Sequence, residues 1–288
     1  MLLKHAEACT GSGLFLRDLY ERAGLPKGLF GVLLISHDQS NKIIEDERVR
    51  GVTLTGSDKA GRAVGAKAAE LVKKTVLELG SNDAYLVLDD ADLDLAVETC
   101  VQGRIYNNGQ TCVSAKRFIV TEKNYDAFVK AYAEKFSAIR MGDPSDDNTQ
   151  LGPMVTKKQR DDLHSQVEKS IDKGARLIVG GEIPDSTGWF YPATVLADVA
   201  PGQPAYDDEM FGPAASIIRA RDDEDAMRIA NDSRYGLGGD IFSKDVINTF
   251  DVAYPTMPFG GVKTSGYGRE HGPEGLKEFV NIKSIRIG

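Results

Sequence analysis

Cys9, Cys100 and Cys112 are the thiols through which this chain could do nucleophilic chemistry, and their settings differ. Cys100 recurs with Leu93, Ala96, Val97, Val101 and Ile105 at helical spacing, which makes it a small buried hydrophobe. Cys9 stands between Ala8 and Thr10 near a helix start, with nothing to single it out. Cys112 follows the polar, glycine-bearing run Asn107-Asn108-Gly109-Gln110-Thr111, between a helix and a strand over Arg117 to Val120. A thiol in that setting is presented by backbone rather than packed away. Intracellular cysteines are often structural, so the local sequence leaves Cys112 open between nucleophile and structural thiol. A reactive thiol needs a partner, and Glu78 is a candidate because it sits at the carboxyl end of a strand and is followed by Leu79-Gly80-Ser81. A carboxylate in a partly apolar site has its pKa raised toward neutrality and can act as general base on water. A surface charge at a strand end is the alternative. The turn Leu54-Thr55-Gly56-Ser57-Asp58-Lys59-Ala60-Gly61 could let backbone approach a ligand at a helix N-terminus, although it is not the G-x-G-x-x-G fingerprint. His5, His37, His164 and His271 are scattered, with no HExxH and no CxxC, so no metal site is expected.

The elements that must hold these residues fall into two patterns. Over the first 80 residues, strand candidates at Met1 to Lys4, Val32 to Ile35, Val49 to Leu54 and Thr75 to Leu79 alternate with helical stretches. Leu14, Leu16, Leu19, Tyr20 and Ala23 share one helical face, and Ala60 to Val72 supplies another helix. Such alternation is that of a parallel, doubly wound sheet with ligands at the carboxyl ends of its strands. From Ser81 onward, longer amphipathic helices mix with strands. Leu93 to Ile105, Tyr125 to Ile139, Gln159 to Asp172 and Asp222 to Asn231 read as helices, Ala175 to Val179 as a strand and Asp143 to Asn148 as a polar turn. Phe279 to Ile287 alternates apolar and polar residues as a half-buried strand would. The domain expectation is a partial dinucleotide-binding domain over 1–80, a catalytic domain over 81–264 and a C-terminal segment over 265–288.

Composition narrows the partners. A chain of 288 residues with 41% hydrophobic and 27% charged residues has the make-up of a soluble globular protein of about two domains. Its net charge of -8 comes without a basic stripe, which argues against nucleic acid and anionic membrane surfaces as partners. The longest apolar runs, such as Gly31 to Ile35, are far shorter than the ~20 residues of a membrane helix, and Met1 to Leu16 lacks the marks of a signal peptide. Three cysteines in a chain of this length do not make a disulfide framework, and the expected compartment is the cytoplasm.

Taken together, LELGS around Glu78, NNGQTC ending at Cys112, EMFGP from Glu209 and PFGGVKTSGYGRE from Pro258 resemble, in order and spacing, the motifs of the aldehyde dehydrogenase superfamily. The likeness covers nearly the whole chain and is greatest to bacterial succinate-semialdehyde dehydrogenases. It implies an α/β fold: a partial doubly wound, Rossmann-like cofactor domain, an α/β catalytic domain and a C-terminal oligomerisation strand. It implies Cys112 as the nucleophile that forms a thiohemiacetal and then a thioester, and Glu78 as the base that activates the hydrolytic water. Thr55, Gly56 and Ser57 would lie against the cofactor, Lys4 and Glu7 would reach the adenosine ribose, and Glu209 with Phe211 would hold the nicotinamide riboside. A carboxylate such as Glu7 at the ribose favours NAD, with NADP possible. Phe259 and Tyr106 would line the aldehyde pocket, and the partners would be a small aldehyde and further copies of the chain in a dimer or tetramer.

The same resemblance exposes departures. The chain starts near the middle of the family's cofactor domain, and Lys244-Asp245-Val246 runs almost directly into Ile247-Asn248-Thr249, which reads as an internal deletion near residue 246. Where the succinate-semialdehyde enzymes carry an arginine six residues before the nucleophile, this chain has Tyr106. Lys116 and Arg117 could supply charge instead, with the solvated face of a strand as the plainer reading. A coenzyme A-acylating enzyme would replace water by a thiol, and Glu78 argues against it. A catalytically silent remnant that binds dinucleotide or oligomerises is the other alternative.

Overall fold

The computed structural model describes residues 1–244 and 253–281. The chain divides into two compact units, Met1–Thr53 with Arg62–Thr75, and Leu54–Gly61 with Val76–Gly288.

In the first unit, β1 (Leu2–Leu3) pairs in parallel with β2 (Gly31–Val32), and α1 (Thr10–Arg22) connects them. The helix α2 (His37–Glu45) starts at a capping box: the Gln39 amide donates to Ser36 Oγ at 3.2 Å, and the Ser36 amide donates to Gln39 Oε1 at 2.9 Å. β3 (Gly51–Thr55), α3 (Asp58–Glu70) and β4 (Lys74–Glu78) continue the alternation and carry the chain into the second unit. Both expected helices of this region are present and a strand lies at or beside each expected place, but β1 and β2 are only two residues long and β2 shares only Val32 with the expected Val32 to Ile35. Helical periodicity in α1 does not translate into burial, because only Gly13 is buried there while Phe15 is 59% exposed and Leu16, Leu19 and Tyr20 are exposed as well.

The second unit contains β5 (Ala84–Val87), α4 (Leu93–Ile105), β6 (Arg117–Thr121), α5 (Glu122–Ser137), α6 (Lys157–Asp172), β7 (Arg176–Val179), β8 (Thr194–Ala197), α7 (Pro204–Asp207), β9 (Ala214–Ala220), α8 (Asp223–Asn231), β10 (Tyr235–Gly236) and β11 (Gly239–Phe242). Beyond the undescribed 245–252 come β12 (Val262–Lys263), β13 (Gly266–Tyr267) and α9 (Gly272–Lys277). Six strands form one sheet in the order β11-β5-β6-β9-β8-β7, parallel throughout except that β7 runs antiparallel to β8. Helices cover both faces, so β6 is buried along its whole length, as central strands of parallel sheets are.

Two-residue periodicity divides the core. Tyr85, Val87, Phe118, Val120 and Ile217 pack against α4 and α5 on one face, where the Phe118 and Tyr132 ring centroids lie 5.0 Å apart. Ala84, Leu86, Ile119, Leu196 and Ile218 pack on the other with Leu163, Val167, Ala226 and Ile229 of α6 and α8. Burying each large side chain contributes roughly 1.5–3 kcal/mol, which makes these two layers the main source of stability. Caps fix the helix starts that the sequence marks: Asp92 accepts from the Leu95 amide and Asp222 from the Asp225 amide.

A smaller sheet has the order β13-β4-β3, with Gly266 opposite Glu78 and Tyr267 opposite Leu77. The expected tail strand over Phe279 to Ile287 falls mostly outside the described residues. Phe279 and Val280, which lie within them, close the turn after α9, the Val280 amide donating to the Lys277 carbonyl at 3.3 Å. The deletion read near residue 246 also falls outside the described residues.

Candidate active site

Cys112 is half-buried on the loop that leaves α4 and enters β6. Asn107, Asn108 and Gly109 take left-handed backbone angles in succession, with φ of 50, 56 and 70°. Asparagine tolerates that conformation, and Gly109 requires the absence of a side chain: a Cβ there would meet the Gly212 carbonyl oxygen at 2.3 Å and Arg104 Nη2 at 2.7 Å. Side chains fasten the turn. Asn108 Nδ2 donates to the Pro153 carbonyl at 3.3 Å, its Oδ1 accepts from the Gly152 amide at 3.1 Å, and Gln110 Oε1 accepts from the Val155 amide at 3.0 Å. Beneath it lies Arg104, wholly buried, which donates from Nη2 to the Gly109 carbonyl at 2.8 Å and whose pKa burial lowers to about 10.

Glu78 ends β4 and is only 2% exposed, so the surface-charge reading fails. Neither carboxylate oxygen has a hydrogen-bond partner among the described residues, and burial, assisted by the negative charge of Glu270 and opposed by Arg269, pushes the group up to about 7. The motif that begins at Pro258 folds over it: a Cβ on Gly260 would lie 2.8 Å from Glu78 Oε1. Phe259 and Glu270 hold that motif closed on itself by reciprocal amide-to-carbonyl bonds of 2.8 and 2.7 Å. Phe259 itself is half-buried, its ring centroid 5.9 Å from that of His271.

A second acid, Glu209, accepts from the Ser81 amide at 3.0 Å and lies 3.6 Å from Lys116 Nζ. A Cβ on Gly80 would stand 2.7 Å from Glu209 Oε2, so that glycine makes room for the carboxylate. Phe211, two residues on, is half-buried. Lys116 donates to the Cys112 carbonyl at 2.8 Å. The thiol is raised by burial first and lowered by Lys116 and the Val113 amide, while Asp83 and Glu209 raise it further.

The solvated-face reading of Lys116 and Arg117 is corrected here, since both are buried. Arg117 spends its guanidinium on the carbonyls of Asn82, Ile229 and Ala230 at 3.0, 2.9 and 2.9 Å. A central strand covered on both sides has no solvated face, and the unbroken apolar run that follows Arg117 in β6 is the sequence signal that reveals this.

Thr55, Gly56 and Ser57 form the exposed exit of β3 into α3. The Gly56 amide donates to the Glu78 carbonyl at 2.9 Å, and Ser57 Oγ accepts from the Ala60 amide at 3.3 Å. Around Gly56 the space is open, the nearest atom to a built Cβ being Leu54 Cδ1 at 3.9 Å. Tyr106 is exposed where the chain leaves α4. In the first unit, Lys4 follows β1 and Glu7 opens an exposed single-turn helix, Glu7–Cys9. Thus Glu78, Gly56, Ser81, Glu209, Lys116 and the Cys112 loop are linked within one unit, while Lys4 and Glu7 belong to the other. Among the described residues, no group of three or more His, Cys, Asp or Glu could hold a metal ion, and no helix is long and apolar enough to cross a membrane.

The chain belongs to the aldehyde dehydrogenase family, whose model matches residues 1–285. It is 45% identical to the NADP(+) succinate-semialdehyde dehydrogenase 1 of Mycobacterium ulcerans, in a match that covers 100% of this chain and 66% of that protein. That match runs over 303 residues against the 288 here, so the relative carries residues inside the matched region that this chain lacks. A succinic semialdehyde dehydrogenase from Streptococcus pyogenes, solved with NADP+, superposes with a TM-score of 0.97 at 40% identity, over 100% of this chain and 67% of that one. An aldehyde dehydrogenase from Mycobacterium tuberculosis solved with NAD+ gives 0.92 at 36% identity, over 96% and 61%. The chain therefore spans about two thirds of the length of the relatives it matches.

Proposed function

We propose that this chain carries the machinery of a nicotinamide-dependent dehydrogenase that oxidises a small aliphatic aldehyde, with succinic semialdehyde as the first substrate to test. The observation that carries this reading is Glu78: a buried carboxylate without a hydrogen-bond partner among the described residues, in the same unit as a half-buried thiol held on a fastened turn. In the proposed sequence, the Cys112 thiolate adds to the aldehyde carbonyl, and the Cys112 amide donates to the oxygen that becomes negative. A nicotinamide held by these residues would supply the hydride acceptor needed to bring the Cys112 adduct to the thioester level. Glu78 then takes a proton from a water as that water attacks the thioester carbonyl, and the C–S bond breaks to release the carboxylic acid and restore the Cys112 thiolate.

The residues present fit a dinucleotide. Gly56 leaves the backbone bare at the first turn of α3, Ser57 adds a hydroxyl, and Glu209 offers a carboxylate suited to ribose hydroxyls. Lys4 and Glu7 remain proposed as contacts to the adenosine ribose. The choice of nucleotide is open to two supports: Glu7 favours NAD, whereas relatives are named for NADP(+). For the substrate, Phe259 is the proposed pocket wall. Lys116 and Arg117 are committed to main-chain carbonyls and are not free to clamp a carboxylate, so uncharged aldehydes belong in the panel beside the semialdehyde.

The test is reduction of NAD and of NADP by the purified chain with succinic semialdehyde and a series of aliphatic aldehydes, with nucleotide binding followed in parallel. Turnover that disappears in Cys112→Ala supports the proposal, and turnover that persists in it refutes the nucleophile. A second reading, a chain that binds dinucleotide or oligomerises without turnover, is favoured by the uncovered apolar side chains of α1. Binding without turnover would select it.

A further inference from the structure

Lys116 is the least expected feature of this site. It lies just before β6 with no solvent exposure, four residues after Cys112, and its ammonium donates to the carbonyls of Cys112, Ser114 and Thr111 at 2.8, 3.0 and 3.3 Å. Ser81 Oγ stands at 3.5 Å and Glu209 Oε1 at 3.6 Å. An ammonium has three protons to donate, and here they converge on the three carbonyls that surround the thiol-bearing residue. Burying such a charge is costly unless it is paired, and the pairing comes from Glu209 and from the buried Asp83, which also attracts it. Asp83 is itself fixed, accepting from the Ser81 hydroxyl and from the Gly238 amide at 3.1 Å.

We propose that Lys116 is a positioning residue for Cys112, a buried cation that gathers the carbonyls of Thr111, Cys112 and Ser114 and ties their loop to Glu209. The proposal rests on the reading of Cys112 as nucleophile, and its consequence is felt at the thiol itself. The charged groups facing Cys112 are Lys116, Asp83 and Glu209, and those facing Lys116 are Asp83, Glu209, Arg104 and Cys112. Removing the cation leaves only the Val113 amide to favour the thiolate, against burial and two acids that hold the proton on sulfur. A purely structural lysine would leave the reactivity of a still-folded thiol unchanged.

The experiment is alkylation by iodoacetamide across the neutral-to-alkaline range, read residue by residue on peptides, with no cofactor or substrate present. Cys9 is exposed and serves as the reference, and Cys100 is buried and reports unfolding. In Lys116→Met, Cys112 labelling at neutral pH should fall roughly tenfold or more relative to Cys9, with its pH midpoint moved upward, while Cys100 stays protected. Lys116→Arg, which keeps the charge, should recover most of that loss. An unmoved midpoint in Lys116→Met with Cys100 protected overturns the proposal. Should Lys116→Met expose Cys100, Glu209→Gln decides: with that acid gone the midpoint should fall, and an unmoved midpoint overturns the proposal equally. Because labelling needs no turnover, an inactive enzyme with the predicted labelling pattern would sink the proposed function and leave this one standing.

Discussion

Glu78→Gln tests the burial of the proposed base through stability alone. A carboxyl whose pKa rises from its ordinary 4.5 to about 7 on folding holds its proton more tightly in the native state than in the unfolded chain. Between those two values the unfolded chain therefore binds fewer protons, so stability falls as pH rises from about 4.5 to about 7 and is flat above. The ionised carboxylate costs about 1 kcal/mol at pH 5 and about 3 kcal/mol at pH 8, as the two pKa values dictate. Gln occupies nearly the same volume and never ionises, so whatever its amide gains or loses in the site is the same at both pH values. Urea unfolding of both proteins at pH 5 and pH 8 should show the variant gaining about 2 kcal/mol on the parent between the two conditions. A difference between the proteins that does not change with pH would refute the reasoning, because it would mean that Glu78 is solvated or paired. The kinetic counterpart follows from the same value: thioester hydrolysis should rise through pH 7 and level off above it. Glu78→Gln should yield a burst of reduced nucleotide without sustained turnover.

Three further outcomes follow from the same geometry. Cys112→Ala should lower both aldehyde oxidation and esterase activity at least about 1000-fold, as measured in initial-rate assays. Gly109→Ala should destabilise by at least about 2 kcal/mol in urea unfolding, since it combines a positive φ with a 2.3 Å approach to the Gly212 carbonyl. Tyr132→Phe removes a buried hydroxyl that has no partner among the described residues, so stability should stay level or rise by about 1 kcal/mol; a clear loss would place a hydrogen-bonded water on that oxygen.

Most elements of the fold are legible because each carries a local signal. Asp92 and Asp222 mark helix starts, the apolar runs mark strands, and the two-residue alternation in β5 and β9 sorts side chains between the two faces of the sheet. The buried charges are not legible in that way. Arg104 sits in the last turn of α4, where a basic residue reads as a solvated partner for the helix terminus, and only the left-handed return of Asn107 to Gly109 brings a carbonyl over it. Arg117 has acceptors supplied by residues as distant in sequence as Asn82, Ile229 and Ala230. Such partners exist only once β5, β6 and the end of α8 are adjacent, so no window of sequence contains them.

The position of the site on the sheet follows from the same non-local logic. In a doubly wound sheet, carboxyl ends of strands gather the chemistry, and Gly56 and Glu78 obey that rule at the ends of β3 and β4. Cys112 and Glu209 do the opposite: they precede the amino ends of β6 and β9, as Ser81 and Asp83 precede β5. Three neighbouring parallel strands thus begin beside one another with a thiol or a carboxylate just ahead of each. Two acids and a thiol brought together in this way would repel as they ionise, and a cation buried among them lets the cluster fold. Lys116, at the entrance to the middle strand of the three, is placed where one charge can meet all of them. Buried lysine and paired acids are therefore one feature, and the reactivity of Cys112 should be read as a property of that cluster rather than of the thiol alone.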